Sequence, residues 1–234
     1  MGLRQIKQEL RQAADPDQAA HLQRFFKTGP GEYGHGDCFL GIRVPELRRL
    51  AKAHCDLSLA DAGKLLHSKF HEQRMVALLI LTYRFPKAQA DEQGRICQFF
   101  LGNTRWINNW DLVDVTVPQV VGAYLLERDR TPLYGLAVSP SLWERRMSII
   151  ATFFFIKHHQ FDDTLRIADL LIDDGHDLIH KAVGWMLREV GKRDQSAMEA
   201  FLVPRYAKMP RTMLRYAIEK FPEPKRFAYL KGTV

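Results

Sequence analysis

Between its turn signals the chain repeats one pattern, with apolar residues at i, i+3, i+4 and i+7, which places a continuous stripe along one side of an α-helix. The period-two alternation of a half-buried strand is almost absent. The spacing predicts helices over Arg4–Ala13, Pro16–Lys27, Pro45–His54, Leu59–His67, Glu72–Arg84, Ala90–Leu101 and Trp110–Glu127. It predicts more over Leu142–His158, Asp162–Leu171, Asp177–Lys192, Gln195–Tyr206 and Thr212–Phe221. Start signals agree: Asp15 is placed to cap a helix that opens on Pro16, Ser58 precedes another, and Ser141-Leu142-Trp143-Glu144 has the spacing of a capping box. The β-branched run Val113–Val121 is the one strand-like piece. Pro118 would remove a ladder donor from it, and its neighbours are helical. The fold class is all-α.

Four segments echo one another at about 36 residues: His71–Ala77, Asn108–Asp114, Trp143–Ile149 and His180–Trp185. Glu72-Gln73-Arg74-Met75 against Glu144-Arg145-Arg146-Met147, two periods later, is the clearest match. A two-helix unit of that length cannot bury its apolar stripe alone, so neighbouring units stack. The expectation is a right-handed α-solenoid of HEAT-like two-helix repeats, a single domain over 1–234 with a concave basic groove shaped for a duplex. The only loop of unusual composition is Thr28–Asp37. Its Gly29-Pro30-Gly31-Glu32-Tyr33-Gly34 satisfies G-x-G-x-x-G, yet it follows a helix-like segment, and Pro30 lacks the N–H a phosphate cradle would use. It is expected to be a flexible connector. No P-loop, H-E-x-x-H or G-x-S-x-G is present, and His158 and His159, being adjacent, cannot face one metal from a single helix.

Composition narrows the picture. Of 234 residues, 46% are hydrophobic and 26% charged, enough apolar surface for a core without the signature of disorder. No stretch reaches the roughly 18 apolar residues of a membrane span, and the charged start lacks a signal peptide's apolar middle, so neither a membrane nor a secreted location is expected. Cys38, Cys55 and Cys97 are odd in number and widely spaced, which argues against a disulfide framework or a zinc site and for a reducing cytoplasm, with no metal or cofactor expected. The formal charge of +7, from 34 Lys and Arg against 27 Asp and Glu, favours a polyanionic partner, nucleic acid first. Many mildly basic proteins bind nothing anionic, so charge alone does not decide.

Candidate chemistry clusters in the repeat. Trp110 and Asp114 are four residues apart, hence one helical turn from each other on one face. Trp143 with Arg146 and Trp185 with Arg188 are three apart in later repeats, and Lys181 precedes Trp185 by four. Each has a plainer explanation: a tryptophan at a repeat position as core packing, Asp114 as an inter-repeat hydrogen-bonding partner, Arg146 as an ion pair to Asp114. Arg43, Arg48, Arg84, Lys157, Lys192 and Arg215 are further groove candidates that solvated helix faces explain equally well. What favours function is recurrence of indole, carboxylate and guanidinium at one place in successive repeats beside a net positive charge.

Those residues carry a resemblance. Cys38–Leu50 (CFLGIRVPELRRL), Trp110–Asp114 (WDLVD), Trp143–Arg146 (WERR) and Lys181–Glu189 (KAVGWMLRE), in that order, resemble the AlkD family of DNA alkylation repair glycosylases from about Phe25 to about Arg193. The resemblance implies a HEAT-like stack that holds duplex DNA and removes cationic N-alkylpurines such as 7-methylguanine and 3-methyladenine, without flipping the base into a protein pocket. By the same resemblance Asp114 is the catalytic carboxylate, Trp110 and Trp185 cradle the damaged nucleotide's sugar and backbone, and Arg146 contacts DNA; the repeat spacing, and not the resemblance, adds Trp143 and Arg188 as expected DNA-binding residues. The Gly29–Asp37 stretch is longer than the family's tight connection, and Phe25 stands where a tyrosine would be expected. A monomer in the cytoplasm, associated with the nucleoid, is expected. The rivals are a non-catalytic HEAT-like DNA-binding protein and a protein-binding solenoid gripping an acidic helix.

Overall fold

The computed structural model describes residues 2–234 and is built from helices and turns. The helices are α1 (Leu3–Gln12), α2 (Pro16–Phe25), α3 (Val44–Ala53), α4 (Leu59–Leu66), α5 (His71–Arg84), α6 (Ala90–Gly102), α7 (Trp110–Val117) and α8 (Ala123–Leu125). They continue through α9 (Thr131–Ala137), α10 (Leu142–Lys157), α11 (Asp162–Leu170), α12 (Asp177–Gly191), α13 (Gln195–Leu202), α14 (Arg211–Ala217) and α15 (Glu223–Lys231). Among the described residues the only extended pairing is a single parallel bridge between Cys38 and Phe70. The all-α expectation holds.

The chain divides into two compact units, Met1–Thr116 and Val117–Val234. In the first, α5 is the central element. Every residue from His71 to Leu81 is buried, with α3 and α4 packed against it and α1 lying on α4 and α5. In the second, α10 has that role: Arg146 to Thr152, Phe155 and Ile156 are buried between α9, α11 and α12, and α12 in turn packs on α13 and α14. The segments that echo at the repeat period fall in the first half of α5 and α10, across the start of α7, and from the second turn of α12. The periodicity therefore follows one helix of each stacked pair.

Start signals read from the sequence do what the chemistry requires. Asp15 accepts from the amides of Asp17 and Gln18 at 3.0 Å each, ahead of Pro16, whose missing N–H costs nothing at a first position. Ser58 caps α4 through Asp61 N at 3.1 Å. Ser141 accepts from Glu144 N at 3.5 Å, while the Glu144 carboxylate accepts from the Ser139 hydroxyl and the Ser141 amide donates to Ser139 Oγ at 3.1 Å. The capping box thus recruits a third residue.

Three departures have physical causes. The helix expected over Trp110–Glu127 is interrupted by a π-helical turn, Pro118–Gly122, before the short α8. Pro118 has no amide to offer four residues back, and the ladder widens there instead of ending. Helices α9 and α15 lie where none was expected; each opens with a proline at its first turn and buries few side chains, Leu133 and Ala137 in one, Tyr229 in the other. The Gly-rich stretch is the third. It was expected to be a flexible connector, but it is folded on itself: Thr28 N donates to Gln23 O at 3.2 Å, Gly34 N to Lys27 O at 3.0 Å and Asp37 N to Gly34 O at 3.0 Å, with Gly29 N on the Glu32 carboxylate at 2.8 Å.

Candidate active site

The first turn of α7 rests on a buried polar cluster. Asn109 Oδ1 accepts from Trp110 N and Asp111 Oδ1 from Leu112 N, both at 2.8 Å, so two amides at the helix start are satisfied by side chains of the same turn. Asp111 Oδ2 lies 2.8 Å from His71 Nε2 at the start of α5. On its other side the His71 ring points Nδ1 at Asp37 Oδ2, 3.5 Å away, and that oxygen meets Arg74 Nη2 at 2.7 Å. Asn108 Nδ2 donates to Asp37 Oδ1 at 3.3 Å, and Arg74 Nη1 to Ser68 O at 3.0 Å.

Two carboxylates thus face an imidazole and a guanidinium in a dry interior, where unpaired charge would be costly. Burial alone would push the His71 pKa down. The Asp111 charge, the hydrogen bond to Asp111 and the Asp37 carboxylate on the other side of the ring outweigh it and hold His71 up at about 9, so the ring is an imidazolium at neutral pH. Burial would raise the Asp37 carboxyl, but the His71 ring and the Arg74 charge beside it keep it below its usual range. The cluster is held as matched ions.

Next to this cluster the Phe39-Leu40-Gly41-Ile42 stretch is clasped by Glu72. Its carboxylate accepts from Leu40 N and Gly41 N at 2.8 Å and from Ile42 N at 3.3 Å. Gly41 has φ +86°, and a Cβ there would sit 2.0 Å from Asp15 O, so only glycine allows α2 to approach so closely.

Trp110 stands on a stack built from that base. Its ring lies over Phe26 with centroids 5.2 Å apart and planes 23° from parallel, and Phe25 meets it edge-on at 6.0 Å. Phe26 in turn packs on Phe39 at 5.1 Å and on His71 at 5.2 Å. The indole Nε1–H donates to Tyr33 Oη at 3.3 Å. Trp110, Phe25, Phe26, Phe39 and Leu47 line an apolar cavity of about 460 Å³ in this unit. Phe25, at the end of α2, is 56% exposed. Asp114 lies one turn along α7 on the same face as Trp110, and both are half-buried.

The other expected site residues lie in the second unit. Trp143 and Arg146 share the first two turns of α10; Trp143 is half-buried, whereas Arg146 is 5% exposed and donates Nη1–H to Leu178 O at 2.5 Å. Trp185 on α12 is half-buried and leans on Phe153 at 5.6 Å with planes at 48°. Arg188, one turn on, pairs with Glu219, and Lys181 pairs with Asp177 at 2.7 Å. Within this unit α10 and α12 pack together, and the tryptophan–arginine pairs sit on neighbouring helices.

Several groove candidates are also engaged: Arg84 with Glu92 and Leu57 O, Lys192 with Glu189, Lys157 over the Phe153 ring. Arg43, Arg48 and Arg215 are exposed. The cationic excess is carried by both units, 16 Lys and Arg against 13 Asp and Glu in the first and 18 against 14 in the second. Among the described residues no group of three or more His, Cys, Asp or Glu side chains is placed to hold a metal ion. No helix among them is long and apolar enough to cross a membrane.

Sequence reasoning missed Tyr33, Asp37 and the supporting role of His71 and Glu72. A signal existed: His71-Glu72-Gln73-Arg74 is a run of four polar residues opening a helix whose next seven residues are apolar, and polar groups entering a core require partners.

Comparison with known proteins adds the following. A family model described as "DNA alkylation repair enzyme" matches residues 6–221. No curated protein matches the chain. Among solved structures, a protein described as "Predicted DNA alkylation repair enzyme from Enterococcus faecalis" is similar at 17% identity and TM-score 0.68, over 90% of this chain and 97% of its own. AlkD2 from Streptococcus mutans is similar at 15% identity and TM-score 0.57, over 93% and 99%. The protein smu.31 from Streptococcus mutans UA159 is similar at 13% identity and TM-score 0.54, over 94% and 99%. At these identities the likeness is one of fold.

Proposed function

Because the chain belongs to the DNA alkylation repair enzyme family, we propose that it hydrolyses the N-glycosidic bond of cationic N-alkylpurines, 7-methylguanine and 3-methyladenine among them, in duplex DNA. The observation that carries the reading is the pair on α7: a carboxylate, Asp114, one turn from an indole, Trp110, on one half-buried face whose helix start is fixed by the ionic cluster behind it. Preorganised charge of this kind lowers a barrier because it needs no reorganisation as the reaction proceeds.

The chemistry follows from the lesion. A purine alkylated at N7 or N3 carries a positive charge, so it departs as a neutral base and needs no general acid. As the bond to C1′ breaks, the sugar gains oxocarbenium character. Asp114 stabilises that charge and orients the attacking water, while the face of Trp110 attracts the developing cation by on the order of 1 kcal/mol or more when desolvated; Trp185, by the family resemblance, is assigned to the damaged nucleotide's sugar and backbone. Trp143, Arg146 and Arg188 are assigned to the DNA-binding side. Arg146, being buried and bound to Leu178 O, serves that side indirectly, by holding α10 against α12. Selectivity comes from the leaving group, so neutral lesions such as uracil are not substrates.

The test is release of free 7-methylguanine from methylated duplex DNA. The wild type releases the base, and Asp114→Asn slows release by about 100-fold or more, the scale of losing a group aimed at transition-state charge. Equal release by both proteins removes Asp114 from this role. A wild type that binds duplex DNA with a steep salt dependence but releases nothing would instead be a DNA-binding protein without the chemistry.

A further inference from the structure

We infer that the Gly-rich segment is a positioning loop for the reaction site, with Tyr33 as the residue that fixes the Trp110 indole; the inference rests on the role proposed above for Trp110 beside the sugar. The rings around Trp110 set its tilt: Phe26 stacks on it at 5.2 Å and Phe25 meets its edge region at 6.0 Å. Stacking is tolerant of sliding and of rotation within the ring plane, because dispersion contacts change little as one flat surface moves over another. A hydrogen bond at the indole nitrogen is directional and removes that remaining freedom. Tyr33 Oη supplies it, accepting from Trp110 Nε1 at 3.3 Å across 77 positions of sequence.

The loop is built to deliver that hydroxyl. Its stem is closed by Gly34 N on Lys27 O at 3.0 Å, and its far end is tied to the start of α5 by Cys38 N on Lys69 O at 3.2 Å and His71 N on Cys38 O at 2.8 Å. Gly34 passes so near the end of α2 that a Cβ would lie 2.5 Å from Phe26 O. Any larger residue there would clash with the backbone at the end of α2 and force the segment carrying Tyr33 to shift. Asp37, three residues on, anchors the same segment into the ionic cluster through Arg74 and Asn108. One loop therefore touches both the indole and the base on which α7 stands.

The alternative is that Tyr33 merely satisfies a half-buried N–H. Tyr33→Phe separates the two, since it removes one oxygen and keeps the ring. The chain has four tryptophans, so the Trp110 indole N–H resonance is identified by its loss in Trp110→Phe. In Tyr33→Phe that resonance is expected to move, single-turnover release of 7-methylguanine at saturating protein to slow by about threefold to tenfold, and the Kd for methylated duplex to change by less than about twofold. An unmoved resonance overturns the inference. So does an unchanged single-turnover rate, or a loss confined to duplex affinity, because either leaves Tyr33 without a part in orienting the indole during reaction. If the wild type releases no base, the reading of the protein as a glycosylase fails, and the indole resonance in Tyr33→Phe still decides whether the loop holds Trp110.

Discussion

The two units present their aromatic and charged residues on differently built supports. In the first, Trp110 is bounded by two phenyl rings and a tyrosine hydroxyl, and the helix carrying it starts on ion pairs whose side chains are nearly sealed, Arg74 at 3% exposure and Asp37 at 4%. In the second, Trp185 leans on a single phenylalanine, and the ion pairs around it reach solvent, as with Arg188 at 17% and Glu219 at 44%. Water can replace a lost partner in the second unit. It cannot do so behind α7. The carboxylate-bearing face of α7 is therefore the one with the dry support, which is what the proposed role of Asp114 calls for.

The contrast makes graded predictions. The largest is Asp37→Ala, which leaves the Arg74 guanidinium and one side of His71 uncompensated in the interior; urea unfolding should show a loss of about 3 to 5 kcal/mol. Next is the pH dependence of the same cluster. His71 has a folded pKa of about 9, above its ordinary 6.5, so its contribution is complete below about pH 6.5, weakens as pH rises, and is gone once pH passes about 9. Thermal melts at pH 6 and pH 10 should therefore differ by roughly 2 to 4 kcal/mol more in the wild type than in His71→Gln. A melt difference equal in the two proteins would mean the imidazolium is not what the carboxylates hold. The smallest effect is Glu219→Gln, which breaks a pair at the rim of the second unit and should cost less than about 1 kcal/mol in the same unfolding experiment. Similar costs for Asp37→Ala and Glu219→Gln would erase the distinction between dry and wet supports.

Much of the architecture was legible because amphipathic spacing and caps are local. The boundaries at Pro16 and Leu59 follow from Asp15 and Ser58, and the repeat follows α5, α7, α10 and α12. Helix α15 escaped because eight of its nine residues are not buried, so no apolar stripe marks it, and α9 because seven residues including Gly135 are too few to show a period. The site was legible only in part. Trp110 and Asp114 share a helix, and their relation is fixed by i, i+4 geometry. Tyr33 meets Trp110, and Asp37 meets Arg74, only through tertiary folding, which spacing along the chain does not encode. The glycine-rich run misled for a related reason: its glycines permit tight turns with φ of +79° at Gly31 and +86° at Gly36, and tight turns are compatible with order.

The single bridge between Cys38 and Phe70 has a consequence for variation in length. It acts as a splint, joining the chain after the glycine-rich loop directly to the start of α5, while the Gly34–Lys27 bond pins the stem just after α2. Residues 28–33 lie inside the Lys27–Gly34 closure and project from a frame whose ends do not depend on them. Insertions or deletions in 28–32 would leave the helices on either side in place and act instead on the Tyr33 hydroxyl that the loop delivers to Trp110.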